Sequence, residues 1–171
     1  MCLAVLLPVA PGVGVPEYVS ELVKLELTNF DSEIKSENEL DAWGTLQVAS
    51  KVIYKAARGI DRKTDFLHLF SGADHPGAAF REQGLTVRTF EILDHPTEDL
   101  YTCSGLAWAG ILSAGIRRGG MALLGPYCGS WSWISRGTSL RTGTTNWGDD
   151  SRQFVRNGNK MALFVSPCSI C

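Results

Sequence analysis

The sequence lacks any apolar run long enough to cross a membrane. The nearest approach is residues 2–15, CLAVLLPVAPGVGV, which Pro8 and Pro11 interrupt; a spanning helix needs about 20 predominantly apolar residues. The same stretch has no basic flank of the kind that opens a secretory leader, so it reads as an irregular start. A disulfide framework is also missing. Cys2, Cys103, Cys128, Cys168 and Cys171 are odd in number and irregular in spacing, unlike the cysteines of a small secreted scaffold. Cys168 and Cys171 have C-x-x-C spacing, but no second cysteine or histidine pair accompanies them. His68, His75 and His95 share no tight spacing, so no metal is expected. Internal repeats and low-complexity tracts are absent. These absences lead to the expectation of an intracellular, metal-free protein without a membrane segment, in the cytoplasm or the nucleus.

What is present suits a globular domain. The 171 residues are 44% hydrophobic and 20% charged, enough for one substantial core. The net charge of −2 conceals an asymmetry. Residues 1–114 carry 9 Lys/Arg against 16 Asp/Glu, whereas residues 115–171 carry 7 against 2. A basic second part suits a polyanion such as nucleic acid. The alternative is that folding scatters these charges.

Residues 1–35 give a poorly defined N-terminal segment, although residues 17–30 fit a helix through Tyr18, Leu22 and Leu25. From residue 36 onward the pattern is regular. Ser36 and Glu39 have capping-box spacing, and Ala42, Leu46, Ala49, Ile53 and Ala56 fall on one face of a helix predicted over 37–58. Phe66–Phe70 is a short apolar run that reads as a buried strand. Residues 76–83, with Pro76 in the first turn, predict a helix. Residues 85–93 predict a second strand, 104–117 a helix stopped by Gly119-Gly120, and 121–124 a third strand. This alternation predicts a Rossmann-like three-layer α/β/α fold over 36–171, with a mostly parallel and incomplete sheet. Residues 128–150 read as loop, 149–163 as a further helix, and 164–171 as no defined element.

In an open parallel sheet, ligands sit beyond the carboxyl ends of the strands. Three clusters fall there. Ser71-Gly72-Ala73-Asp74 is a small-residue turn leading toward a helix start, whose free amides favour a polar or anionic group. Its spacing is not G-x-G-x-x-G, so it does not predict a pyrophosphate cradle. Glu91 ends the second strand 19 residues after Gly72, the separation at which an acid accepts hydrogen bonds from ribose hydroxyls; Asp94 competes for that role. Gly125-Pro126-Tyr127-Cys128 follows the third strand. Cys128 is either a small buried hydrophobe or a nucleophile whose thiolate is favoured by Arg136 and Arg141 downstream. Trp131 and Trp133 either stack on a planar ligand or cover the sheet.

Taken together, LHLFSGADHPGAAFREQG at 67–84 and GPYCGSWS at 125–132 resemble the first half of a class I S-adenosylmethionine-dependent methyltransferase, and most closely the DNA cytosine-5 methyltransferases. The resemblance covers residues 65–157. It implies that Phe70, Ser71, Gly72 and Ala73 hold the cofactor, with Gly125 and Pro126 beside them. It gives Glu91 the ribose, Asp99 the adenine, and Arg136 and Arg141 the DNA. It also implies that the Cys128 thiolate adds to C6 of a flipped-out cytosine, activating C5 for methyl transfer. The sequence departs from the family at Asp74 (glycine expected), Tyr127 (proline) and Gly129 (glutamine), and has no E-N-V or Q-x-R-x-R motif. The competing reading is a non-catalytic Rossmann-like interaction module, a truncated pseudo-methyltransferase. A third, cysteine-dependent hydrolysis, would need one of the three histidines as base near Cys128.

Overall fold

Short apolar runs alternating with helical spacings give an α/β fold in the computed structural model, with a three-stranded parallel sheet flanked by helices. This is the architecture of an incomplete Rossmann-like fold. Residues 14–30, 40–126 and 129–168 are described. The described residues divide into two compact units, one up to Gly125 and one from Pro126 onward.

In the first unit the elements are α1 (Glu17–Phe30), α2 (Ala42–Ala57), β1 (Thr64–Leu69), α3 (His75–Glu82), β2 (Val87–Phe90), α4 (Cys103–Ala114) and β3 (Ile116–Leu124). The strand order is β2-β1-β3. The chain steps from β1 to β2 on one side, then crosses back over β1 to β3. With right-handed connections, these two steps put α3 and α4 on opposite faces. Accordingly α3 packs on β1 and β2, whereas α4 packs on β1 and β3; α2 lies on α4, and α1 on both. α4 is apolar around most of its circumference, with Leu106, Ala107, Trp108, Ala109 and Ile111 buried, because it is enclosed by strands and helices. Phe66, Leu67, Leu69 and Phe90 complete the core between the layers.

Several boundaries differ from those predicted. Asp41, whose carboxylate accepts from the Gly44 amide at 2.7 Å, caps α2 directly before Ala42, so the helix begins later than the Ser36–Glu39 spacing predicts; those two residues lie outside the described set. The most deeply buried α2 side chains are Thr45, Val48, Ala49 and Val52. Of the predicted stripe only Ala49 is among them, because α2 is covered by both α1 and α4 and its buried face is wider and rotated. α1 belongs to the packed core through Val19, Val23 and Leu27, although the N-terminal segment reads as poorly defined.

β3 shows the largest shift. α4 ends at Gly115 and the strand starts at Ile116, so Gly119-Gly120 lie inside the strand rather than stopping a helix. Thr64 pairs with Ile116 but Phe66 pairs with Met121, which places a bulge between them. A Cβ on Gly120 would stand 2.7 Å from Ile116 Cγ2 and 3.0 Å from the Thr64 and Asp65 carbonyl oxygens. Two of those contacts are backbone and cannot move aside. Gly120→Ala is therefore expected to destabilise the fold by about 1–3 kcal/mol, read as a lower urea midpoint with unchanged m-value; an unchanged midpoint would disprove the tight bulge.

The second unit contains two single 3-10 turns, Gly129–Trp131 and Trp133–Ser135, then α5 (Arg136–Ser139) and α6 (Gln153–Cys168). α6 extends through residues that gave no predicted element. Its buried Val155, Met161 and Phe164 follow a helical spacing that is diluted in sequence by the intervening Asn, Gly and Lys.

Candidate functional site

The carboxyl end of β1 emerges between its two neighbours. The Phe70 amide donates to the Phe90 carbonyl at 2.8 Å, and the Gly125 amide donates to the Leu69 carbonyl at 3.2 Å. The turn that follows alternates in handedness, with positive φ at Phe70 (62°), Gly72 (50°) and Asp74 (47°). Such alternation directs successive amides toward one side and makes a concavity for polar or anionic groups. Left-handed backbone costs a non-glycine residue about 1–2 kcal/mol, so Phe70 and Asp74 require support.

Asp74 has it. One carboxylate oxygen meets His68 Nδ1 at 2.8 Å, and the other accepts from Arg81 at 2.7 Å. This three-member cluster ties the buried middle of β1 to both ends of α3. Space for the carboxylate comes from Gly77, where a Cβ would fall 2.2 Å from Asp74 Oδ1. Ser71 is buried, and its Oγ has no hydrogen-bond partner. A buried hydroxyl without a partner is costly in a native fold, and it stands in the turn beside an exposed Gly72 with open space around it. Ala73 is exposed.

Glu91 meets this turn from the end of β2. Its carboxylate is buried; Oε2 accepts from the Gly72 amide at 2.8 Å and Oε1 from the Leu93 amide at 3.1 Å. The predicted pairing of Gly72 with Glu91 is therefore a direct contact. Each carboxylate oxygen has two lone-pair directions, so both oxygens keep accepting capacity after these bonds. Behind Glu91 lies Glu98, which no sequence motif singles out. Its Oε2 accepts from the Glu91 amide at 2.8 Å. Burial pushes the Glu98 carboxyl above the usual range, outweighing the hydrogen bond from the Glu91 amide and the nearby His95. An acid raised by folding binds its proton more tightly when folded, so its contribution favours the fold at low pH and is lost as pH rises through the raised value.

Asp99 lies before α4, not after the third strand, and its Oδ1 accepts from the Tyr101 amide at 2.9 Å. Gly125 adjoins the turn, with a would-be Cβ 3.6 Å from the Phe70 carbonyl oxygen; Pro126 begins the second unit. Cys128, like Tyr127, lies outside the described residues. Arg136 opens α5 and is exposed.

Arg141 is buried. Its guanidinium donates to the Ser130 carbonyl (2.9 Å), Ser130 Oγ (3.1 Å), the Asn146 carbonyl (2.6 Å) and Asn159 Oδ1 (2.8 Å). It also sits 3.6 Å from the Trp131 ring centroid. These partners make it the internal hub of the second unit, and its donors are spent there rather than on a ligand. Trp131 contacts Trp147 edge-on and donates to the Gly158 carbonyl; the side chain of Trp133 lies outside the described set. Among the described residues there is no cluster of three or more metal-ligating side chains and no helix long and apolar enough to cross a membrane.

The glycine turn and Glu91 were legible from strand-end position. The support around them was not. The His68–Asp74–Arg81 cluster joins residues of no recognisable spacing, and Glu98 sits in a segment, 96–99, that reads as a turn or a helix start. No protein-family model, curated protein or solved structure matches the chain.

Proposed function

We infer that the first unit is a methyltransferase-like domain that binds S-adenosylmethionine at the Phe70–Ala73 turn and Glu91. The observation that carries this reading is the 2.8 Å bond from the Gly72 amide to Glu91 Oε2, which joins a small-residue turn to an acid at the carboxyl ends of adjacent parallel strands. A nucleoside needs those two groups side by side. The alternating turn offers amides, the unpaired Ser71 hydroxyl offers a hydrogen bond, and the free lone pairs of Glu91 suit ribose hydroxyls. Where the family turn carries glycine, Asp74 keeps the left-handed backbone and uses its carboxylate to brace β1 and α3. When bound, the cofactor supplies an electrophilic methyl group. The chain's part is to bind and orient it, and in the DNA-modifying form of the reading to add the Cys128 thiolate to C6 of a cytosine.

Titration calorimetry with S-adenosylmethionine and S-adenosylhomocysteine tests the binding claim, with saturable binding of both expected. Absence of heat with either ligand at high concentration would sink it. Methyl transfer to cytosine-containing DNA tests the second claim, and Cys128→Ser is expected to abolish it; full transfer by that variant excludes the nucleophile.

The non-catalytic module is the second reading. It is favoured by Arg141, whose donors are consumed internally, and by the three-stranded sheet. Cofactor binding without methyl transfer to any DNA would select it.

A further inference from the structure

We propose that Glu98 is a positioning residue that sets the Glu91 backbone, and through the Glu91 carboxylate the ligand turn. The geometry is a relay of two acceptor–donor links. Glu98 Oε2 accepts from the Glu91 amide at 2.8 Å. The Glu91 carboxylate accepts from the Gly72 amide at 2.8 Å. The first link closes the loop between β2 and α4 on itself and the second ties that loop to the turn after β1, so the position of the ligand turn is referred to the buried Glu98.

Both residues are buried, and among the described residues no basic group is hydrogen-bonded to Glu98. Facing it are Glu91, Asp94 and His95 from its own loop and Trp108 from α4. A buried acid without an ion-pair partner is expensive, and a neutral residue accepting from the same amide would stabilise the turn as well. What a titratable acid adds is a second setting. Ionised Glu98 draws the Glu91 amide more strongly, since hydrogen bonds to charged acceptors are the shorter and stronger ones. Protonated Glu98 relaxes it. The backbone at residue 91 carries that change to the carboxylate that binds Gly72.

The role in ligand binding rests on the reading of Glu91 given above; the relay itself does not. The test uses the full chain, labelled with nitrogen-15, in a pH titration followed by NMR. The Glu91 and Gly72 amides are expected to shift together at one apparent pKa lying above the usual glutamate range, as burial of Glu98 requires. In Glu98→Gln that shared inflection disappears while both amides remain protected from hydrogen exchange. In Glu98→Leu, protection at Gly72 falls by roughly tenfold or more, the scale of one buried hydrogen bond to a charged group, and S-adenosylhomocysteine affinity falls by a similar factor; Glu98→Gln recovers most of both. A Gly72 amide that does not follow the Glu91 amide, or whose protection survives in Glu98→Leu, overturns the proposal. Should Glu98→Leu fail to fold, the titration of wild type against Glu98→Gln decides. Should the nucleoside not bind at all, the cofactor reading fails and the amide measurements still judge the relay.

Discussion

Arg141→Leu is expected to unfold the second unit while leaving the first intact. The guanidinium bridges the 3-10 turn at Ser130, the loop at Asn146 and α6 at Asn159, and it lies against the Trp131 ring. Its removal leaves buried acceptors without donors, and leucine supplies none. Breaking such a network costs about 3 kcal/mol or more, a large share of the stability of so small a body. Arg141→Lys is expected to fare little better, because one ammonium cannot reproduce the planar fork that reaches three segments. Hydrogen-exchange mass spectrometry distinguishes the outcomes. Peptides from 129–168 should lose protection while those from 64–124 keep it. Retained protection throughout would show that Arg141 is dispensable, and would return it to consideration as a ligand-binding residue.

Glu91→Leu is the second large effect, and it has two parts. Stability is expected to fall by about 2–4 kcal/mol, because the Gly72 and Leu93 amides both lose a charged acceptor. Cofactor affinity should fall with it, but loss of affinity alone does not separate a ribose contact from a collapsed turn. Deoxyribose analogues of S-adenosylhomocysteine do. If Glu91 accepts from the ribose hydroxyls, removing those hydroxyls weakens binding to the wild type and has little further effect on a Glu91→Gln variant that keeps the fold. Equal losses in both proteins would leave Glu91 a purely structural brace. Gln is the informative replacement, since it still accepts one of the two amides while opposing a donor to the other.

How much of this could be read from the sequence depends on how local each cause is. β1 was legible because Phe66, Leu67 and Leu69 are apolar on both faces of a central strand. α3 was legible from Pro76 and the following Gly84. The first half of β3 was not, because Arg117-Arg118-Gly119-Gly120 carries no strand signal; the segment is extended because Thr64 pairs with Ile116 and Arg117 forms an ion pair with Asp65. α2 was found, but its buried face was misplaced, since a face covered by two helices has no simple stripe. At the site, Gly72 and Glu91 followed from the rule that parallel strands bring their carboxyl ends together. Glu98, His68 and Asp74 did not, because their roles are set by side chains that meet only after the sheet has formed. Arg141 was read as a DNA contact and as a cation favouring the Cys128 thiolate, whereas three segments converging on it bury it.

The strand order has a consequence for how the chain is made. β1 is the centre of the sheet, yet it is the first strand synthesised. Phe66 finds one partner at Val87 and the other only at Met121. During translation its apolar side chains therefore leave the ribosome with no neighbour on either side, and the ligand turn at its end cannot close until β2 has followed and delivered Glu91. Pairings so distant along the chain are slow to form. A nascent chain halted before residue 116 would hold the turn and its acid but lack the third strand, which makes the interval between β1 and β3 the stretch of synthesis in which a chaperone has most to protect.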